Sequence, residues 1–176
     1  ENHYEIERSH REVEAANREL MLEKSELQRA NEVLEQLSIT DGLTKLHNHR
    51  FFQDQLVREA KRADRTGEPL TLVLIDIDHF KRWNDRLGHA TGDEILRKLA
   101  GSLNESIRET DFLARYGGEE FAIVAPNMNK TECHGFADRL REAISKLTIK
   151  VGNVHLRVTV SVGIAISQRS EALPQF

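Results

Sequence analysis

This sequence has almost no cysteine, proline or tyrosine: one, three and two residues respectively among 176. A single thiol, Cys133, cannot close an internal disulfide, so a hydrophobic core must hold the fold, and this usage suits a reducing, cytoplasmic setting. Cys133 reads as a packing residue rather than a nucleophile. No apolar run approaches the roughly 20 residues of a bilayer span. A membrane would therefore be reached only through a segment upstream of Glu1, and the start in mid-helical pattern without a methionine predicts a piece of a longer chain. Basic charge is not in excess either, with 25 Lys and Arg against 29 Asp and Glu and a net charge of -4. That balance lacks the cationic footprint of a nucleic-acid binder and leaves small molecules as the expected ligands.

Glycine and proline are absent from residues 2 to 38. There Ile6, Val13, Leu20, Leu27 and Leu34 recur every seven residues, the spacing of a coiled-coil seam, so residues 1–39 are expected to form a dimerising helix. The companion seam has two readings. Three residues on lie Ser9, Ala16, Glu23, Ala30 and Leu37; four residues on lie His10, Asn17, Lys24 and Asn31. Two packings of one stalk could transmit a rotation, and a static spacer with an imperfect seam is the alternative.

Thr40, Asp41 and Gly42 interrupt the heptads and open a globular segment over 40–176. Residues 48 to 66 read as an amphipathic helix. Leu70 to Ile75 is an apolar run expected to be a central strand covered on both faces. Two helices follow, the longer over about 92 to 108, with Ile95, Leu96, Leu99, Leu103 and Ile107 on one face. Phe112 to Tyr116 and Phe121 to Ala125 form a predicted hairpin, for which Gly117-Gly118 would supply positive backbone dihedrals. A helix over about 131 to 147 and a strand-rich stretch from Val154 to Ile166 complete the order. The fold class expected is α+β, an α/β sandwich whose antiparallel sheet has the split β-α-β arrangement of ferredoxin-like folds.

Carboxylates stand where two of these strands end. Asp76 and Asp78 follow the apolar run, and Glu119 and Glu120 follow the double glycine. A charge at a strand end is costly to bury without a counter-ion. Asp78 is expected to cap the next helix. Asp76, with one of the glutamates, could converge on a divalent cation if the hairpin pairs beside the first strand, since oxygen ligands suit Mg²⁺.

The string Gly117-Gly118-Glu119-Glu120-Phe121 resembles the GGDEF/GGEEF motif of the diguanylate cyclase family. Further strings agree in order: Asp41-Gly42-Leu43-Thr44, IDIDHFKRWND at 75 to 85, GHATGDEIL at 88 to 96 and TVSVGIA at 159 to 165. The ordered set is far more specific than any one of them. The resemblance implies condensation of two GTP into cyclic di-GMP with release of two pyrophosphates, by a homodimer joined through the coiled coil. Two Mg²⁺ or Mn²⁺ ions per site are implied, with Asp76, Glu119, Glu120 and the backbone carbonyl of Ile77 as the metal set. Glu119 would also be the base, and Lys81 would reach the phosphates. Phe80, Gly117 and Gly118 would line the nucleotide, while Asn84 and Asp93 would hydrogen-bond guanine, which offers an N1-H and an exocyclic amine that adenine lacks.

Arg108-Glu109-Thr110-Asp111 has the form RxxD and resembles the family's product-inhibition site, with Arg139 as a second arm. Members of the family continue past the TVSVGIA strand into a helix with basic residues, and this chain ends at Phe176 without it. The alternative implied is a catalytically silent cyclic di-GMP-binding or dimerisation module.

Overall fold

The computed structural model describes residues 2–37 and 39–167, and the chain divides into two units, Glu1–Ser38 and Ile39–Phe176. The first holds one helix, α1 (Asn2–Leu37), uninterrupted because nothing in it removes a donor or favours a turn. The seam residues Val13, Leu20, Leu27 and Leu34 are all more than half exposed. An apolar row of this length left in water is what a partner helix would bury. The side chains of Ile6, Ser9 and Leu37 lie outside the described residues. No helix among the described residues is long and apolar enough to cross a membrane.

In the second unit, α2 (His49–Thr66) begins where the Asn48 side chain accepts the Phe51 N–H at 3.0 Å. It stops at Gly67, whose left-handed φ of 75° returns its N–H to the Ala63 carbonyl. There follow β1 (Leu70–Ile77), α3 (Phe80–Leu87), α4 (His89–Ser106), β2 (Phe112–Arg115), β3 (Glu120–Pro126), α5 (Lys130–Lys146), β4 (Ile149–Val151), β5 (Val154–Leu156) and β6 (Val160–Ser167). Asn129 and Glu132 form a capping box that starts α5.

The main sheet has the order β2-β3-β1-β6 with every neighbour antiparallel. β3 lies between β1 and β2, and β1 between β3 and β6, so two split β-α-β units interlock as the sequence pattern predicted. One face packs Val73, Ile75 and Ile77 against Leu99 and Leu103 of α4 and Phe136 and Leu140 of α5. The other packs Leu70, Ala122 and Val124 against Phe52 of α2. Each large aliphatic or aromatic side chain so buried contributes roughly 1.5–3 kcal/mol by leaving water.

One expectation needs correction and another an addition. β1 is not covered on both faces along its length: on the α2 side Leu74 is 44% exposed and Asp76 is open, because α2 covers only the other end of that face. The strand-rich Val154 to Ile166 stretch holds two strands in different sheets, and the partner of the first, β4, is an addition to the expected order. Gly152, at φ 58°, turns the chain so that β5 folds back on β4 as a separate two-stranded ribbon, and β6 starts only at Val160. The last stretch, from residue 168 to Phe176, lies outside the described residues.

Candidate active site

The sheet order brings the carboxylates of two distant strings together. Asp76 sits opposite Glu120 on β3 and Ser161 on β6. One step beyond the ladder, the Ile77 N–H donates to the Glu119 carbonyl at 3.4 Å, so Glu119 rises beside the end of β1. Its carboxyl is held above its ordinary value, first by burial and then by the charges of Asp76 and Glu120. Among the described residues, no set of three or more His, Cys, Asp or Glu is grouped to hold a metal unaided. The carboxylates of Asp76 and Glu119 and the Ile77 carbonyl are all oxygen donors, the kind of ligand a hard cation such as Mg²⁺ takes.

The turn bearing Glu119 is built differently from the one predicted. Gly117 and Gly118 do not have positive φ. Instead the N–H groups of Tyr116 and Gly117 both donate to the Glu120 carbonyl, at 2.8 and 3.2 Å. A Cβ on Gly117 would stand 2.5 Å from Glu120 Oε2, the tip of an exposed side chain that would have to swing aside. The loop is then braced by Arg115, a residue to which the sequence patterns assign no part. Its Nε donates to the Gly117 carbonyl at 3.1 Å and one terminal nitrogen to the Gly118 carbonyl at 2.8 Å. The other nitrogen lies 3.3 Å from both oxygens of Asp41. Asp41 also accepts the Thr44 N–H at 2.8 Å and the Thr44 hydroxyl at 2.6 Å. Burial pushes its carboxyl up, but the Thr44 bonds and the Arg115 guanidinium outweigh it and hold it below its ordinary value. The available signal was the presence of Asp41 in the first matched string and of Arg115 next to the last turn.

At the exit of β1, Asp78 does not cap α3. Its two oxygens accept the Thr159 and Ser161 hydroxyls, each at 2.6 Å, and these bonds hold it below its ordinary value, Ser161 first. The N-cap position belongs to His79, in the left-handed region at φ 59° with no side-chain cap bond. This reversal starts α3, which sends Phe80 into the core and leaves Lys81 exposed. Asn84, one turn on, lies against α4 where Gly92 passes. A Cβ at Gly92 would collide with Asn84 Oδ1, so glycine permits the close crossing. Among the described residues that oxygen is buried without a hydrogen-bond partner, while Asp93 beside Gly92 is partly exposed. An orphaned acceptor of this kind costs about 1–3 kcal/mol and is the sort of group a ligand donor would satisfy.

The Arg108 and Asp111 pair is arranged otherwise than its RxxD form suggested. Asp111 is buried and accepts the backbone N–H of Arg108 at 3.0 Å, while its own N–H returns to the Arg108 carbonyl. The Arg108 side chain is exposed. Burial raises the Asp111 carboxyl above its ordinary value against the Arg108 bond and charge, and its Oδ1 is unpartnered. Arg139, on α5, is exposed and extends over the Phe136 ring at 5.9 Å from the centroid.

The site residues therefore occur in a particular frame, and comparison with known proteins places that frame. The family model for the diguanylate cyclase GGDEF domain matches residues 38–175. The chain belongs to the diguanylate cyclase (GGDEF) family. It is similar to the response regulator PleD of Caulobacter vibrioides, with 39% identity over 142 residues, covering 80% of this chain and 31% of PleD. It is also similar to the diguanylate cyclase DosC of Escherichia coli K12, with 42% identity over 127 residues, covering 72% of this chain and 28% of DosC. The chain thus spans less than a third of the length of these relatives. Among solved structures, the coiled coil and GGDEF domain of DgcB from Caulobacter crescentus, in complex with c-di-GMP, superimposes with a TM-score of 0.72 at 34% identity. That alignment covers 86% of this chain and 83% of the other, so it takes in part of the helical stalk as well as the GGDEF domain.

Proposed function

We propose that this GGDEF domain condenses two GTP molecules into cyclic di-GMP and two pyrophosphates, working as a homodimer joined through α1. The observation that carries the reading is Glu119 held beside Asp76 at the ends of adjacent strands, with its carboxyl raised by burial and by that neighbouring charge.

In each of two equivalent steps, the 3′-oxygen of one GTP forms a bond to the α-phosphorus of the other, and the bond from that phosphorus to the bridging β-phosphate oxygen breaks. Glu119 takes the hydroxyl proton; a carboxyl raised toward neutrality suits that task better than an ordinary one. Asp76, Glu119, Glu120 and the Ile77 carbonyl would hold Mg²⁺ or Mn²⁺, which when bound supplies Lewis acidity to the hydroxyl and charge balance to the departing pyrophosphate. Lys81, exposed at the start of α3, attracts the phosphates, and the core-buried Phe80 contributes through its backbone alone. Asn84 and Asp93 read the guanine edge, and the absence of side chains at Gly117 and Gly118 lets the nucleotide approach the backbone. One domain holds one GTP, so two must face each other, and the exposed row on α1 supplies the proximity. Product returns to Arg108 and Arg139, with Asp111 fixing the backbone at Arg108 rather than touching the ligand.

The test is incubation with GTP and Mg²⁺ followed by mass analysis of the nucleotides, for wild type and Glu119→Gln. Cyclic di-GMP from the wild type and none from a variant with an unchanged melting curve is the expected result. Retained product formation in Glu119→Gln would remove the base from the mechanism.

A further inference from the structure

On the flank of α3 away from Lys81 and Asn84 there is a cavity of about 240 Å³ between that helix and the segment joining β5 to β6. Arg82 and Arg86 reach it from α3, one turn apart and so on the same side, and Arg157 reaches it from the opposite wall. Trp83, half-buried against the core, forms part of its floor. Among the described residues, none of the three guanidiniums forms an ion pair or hydrogen bond, in contrast to Arg62, Arg97, Arg115 and Arg141, each of which has an acidic partner. The one carboxylate on the wall, Asp78, is already engaged by the Thr159 and Ser161 hydroxyls. The cavity thus presents three positive charges against one negative.

Three like charges converging on one space repel each other, and that arrangement is relieved by an anion able to accept from more than one of them. Guanidinium forks match phosphoryl oxygens two at a time, and an indole floor adds an apolar surface with a donor edge. Volume limits the choice. Pockets for drug-sized ligands hold about 300–1,000 Å³, so this one is too small for a dinucleotide and large enough for more than one phosphoryl group. We propose that this cavity is a binding site for a small ligand carrying two linked phosphoryl groups, with Arg82, Arg86 and Arg157 as its clamps.

The site is separate from the one proposed for GTP, since Asp76, Glu119, Lys81, Asn84 and Asp93 do not line it. It adjoins that site through the Asp78-His79 reversal, which both forms part of its wall and launches α3. A ligand gripping Arg82 and Arg86 would therefore steady the helix that carries Lys81 and Asn84.

Trp83 is the only tryptophan in the chain, so its emission reports on this cavity without labelling. The experiment titrates the whole chain with inorganic pyrophosphate in EDTA at constant ionic strength, following tryptophan emission and, in parallel, the heat of binding. A saturable signal is expected. Arg86→Ala and Arg157→Ala should each weaken it about tenfold, the double variant should abolish it, and Asp76→Asn should leave it unchanged. All three arginines are exposed, so these substitutions should leave folding intact. The proposal is overturned by absence of both emission change and heat, by a response that sodium chloride reproduces, by survival of the signal in the double variant, or by its loss in Asp76→Asn.

Discussion

The two ends of β2 carry two arginine–aspartate associations that are opposites in construction. Before the strand, Asp111 lies three residues from Arg108 and takes its backbone N–H, feeling the guanidinium only as a nearby charge. At the other end, Arg115 crosses 74 residues of sequence to reach Asp41 with its guanidinium and spends its remaining donors on the Gly117 and Gly118 carbonyls. The first association closes a local corner and leaves a cation free in solvent. The second consumes its cation to hold the glycine loop that positions Glu119. At these two corners the local pair closes a turn, while the pair distant in sequence forms the ion bridge.

The contrast can be broken most forcefully at Arg115. Its side chain is only 18% exposed, so Arg115→Ala leaves Asp41 with Thr44 alone and removes the donors to two loop carbonyls, and a loss of about 1–3 kcal/mol is expected in urea denaturation. A loss below about 0.5 kcal/mol would mean that the loop holds itself. Asp111→Asn keeps an acceptor for the Arg108 N–H and removes a buried charge, so a change within about 1 kcal/mol at neutral pH is expected by the same measurement. Arg108→Ala retains the backbone bond altogether and should stay within about 0.5 kcal/mol. Should the proposed inhibitory role hold, that variant would nonetheless lose sensitivity to added cyclic di-GMP, separating ligand contact from folding.

Acid titration sharpens the same comparison. Asp41 is depressed by Thr44 and Arg115 against burial, so its contribution is present above the ordinary carboxylate range and is lost as pH falls through its lowered value. Asp111 is raised by burial, so its ionisation opposes the fold at neutral pH and that opposition fades as pH falls through its raised value. Asp41→Asn should therefore flatten the loss of stability on acidification, and Asp111→Asn should steepen it. Identical acid limbs in the two variants would show that the two carboxylates are not distinguished as described.

Elements with a strong local signal are legible in the sequence. The α4 and α5 faces, the hairpin and the order of strands follow from apolar period and turn residues, because those depend on neighbours within a turn or a strand. Asp76 and Glu119 stand out as candidates in the sequence because one lies near the end of an apolar strand and the other just before the next begins. Asp78 departs from its expected capping role because its bonds go to Thr159 and Ser161, more than 80 residues away, and no local pattern encodes that reach. Gly117 departs from its expected dihedral because the turn is closed instead by the Tyr116 and Gly117 N–H groups on the Glu120 carbonyl, a pairing that no local residue type specifies. For Arg115 the only local signal is its place beside the double glycine, and its reach to Asp41 is not encoded there.

The sequence by itself determined the helices and the four strands of the main sheet, the split β-α-β order, and the family to which its ordered strings point, but not the β4-β5 ribbon. These rest on periodicity and on residue types at fixed offsets. Helix spacing sets the ion pairs within α2, α4 and α5, but tertiary structure decided how charges from distant segments are placed. Asp41 meets Arg115, Asp78 is tied to β6, Asp111 turns inward, and Arg82, Arg86 and Arg157 face one cavity unpaired. Electrostatic partnership depends on distance through space, and chain folding sets that distance for residues that the sequence keeps far apart.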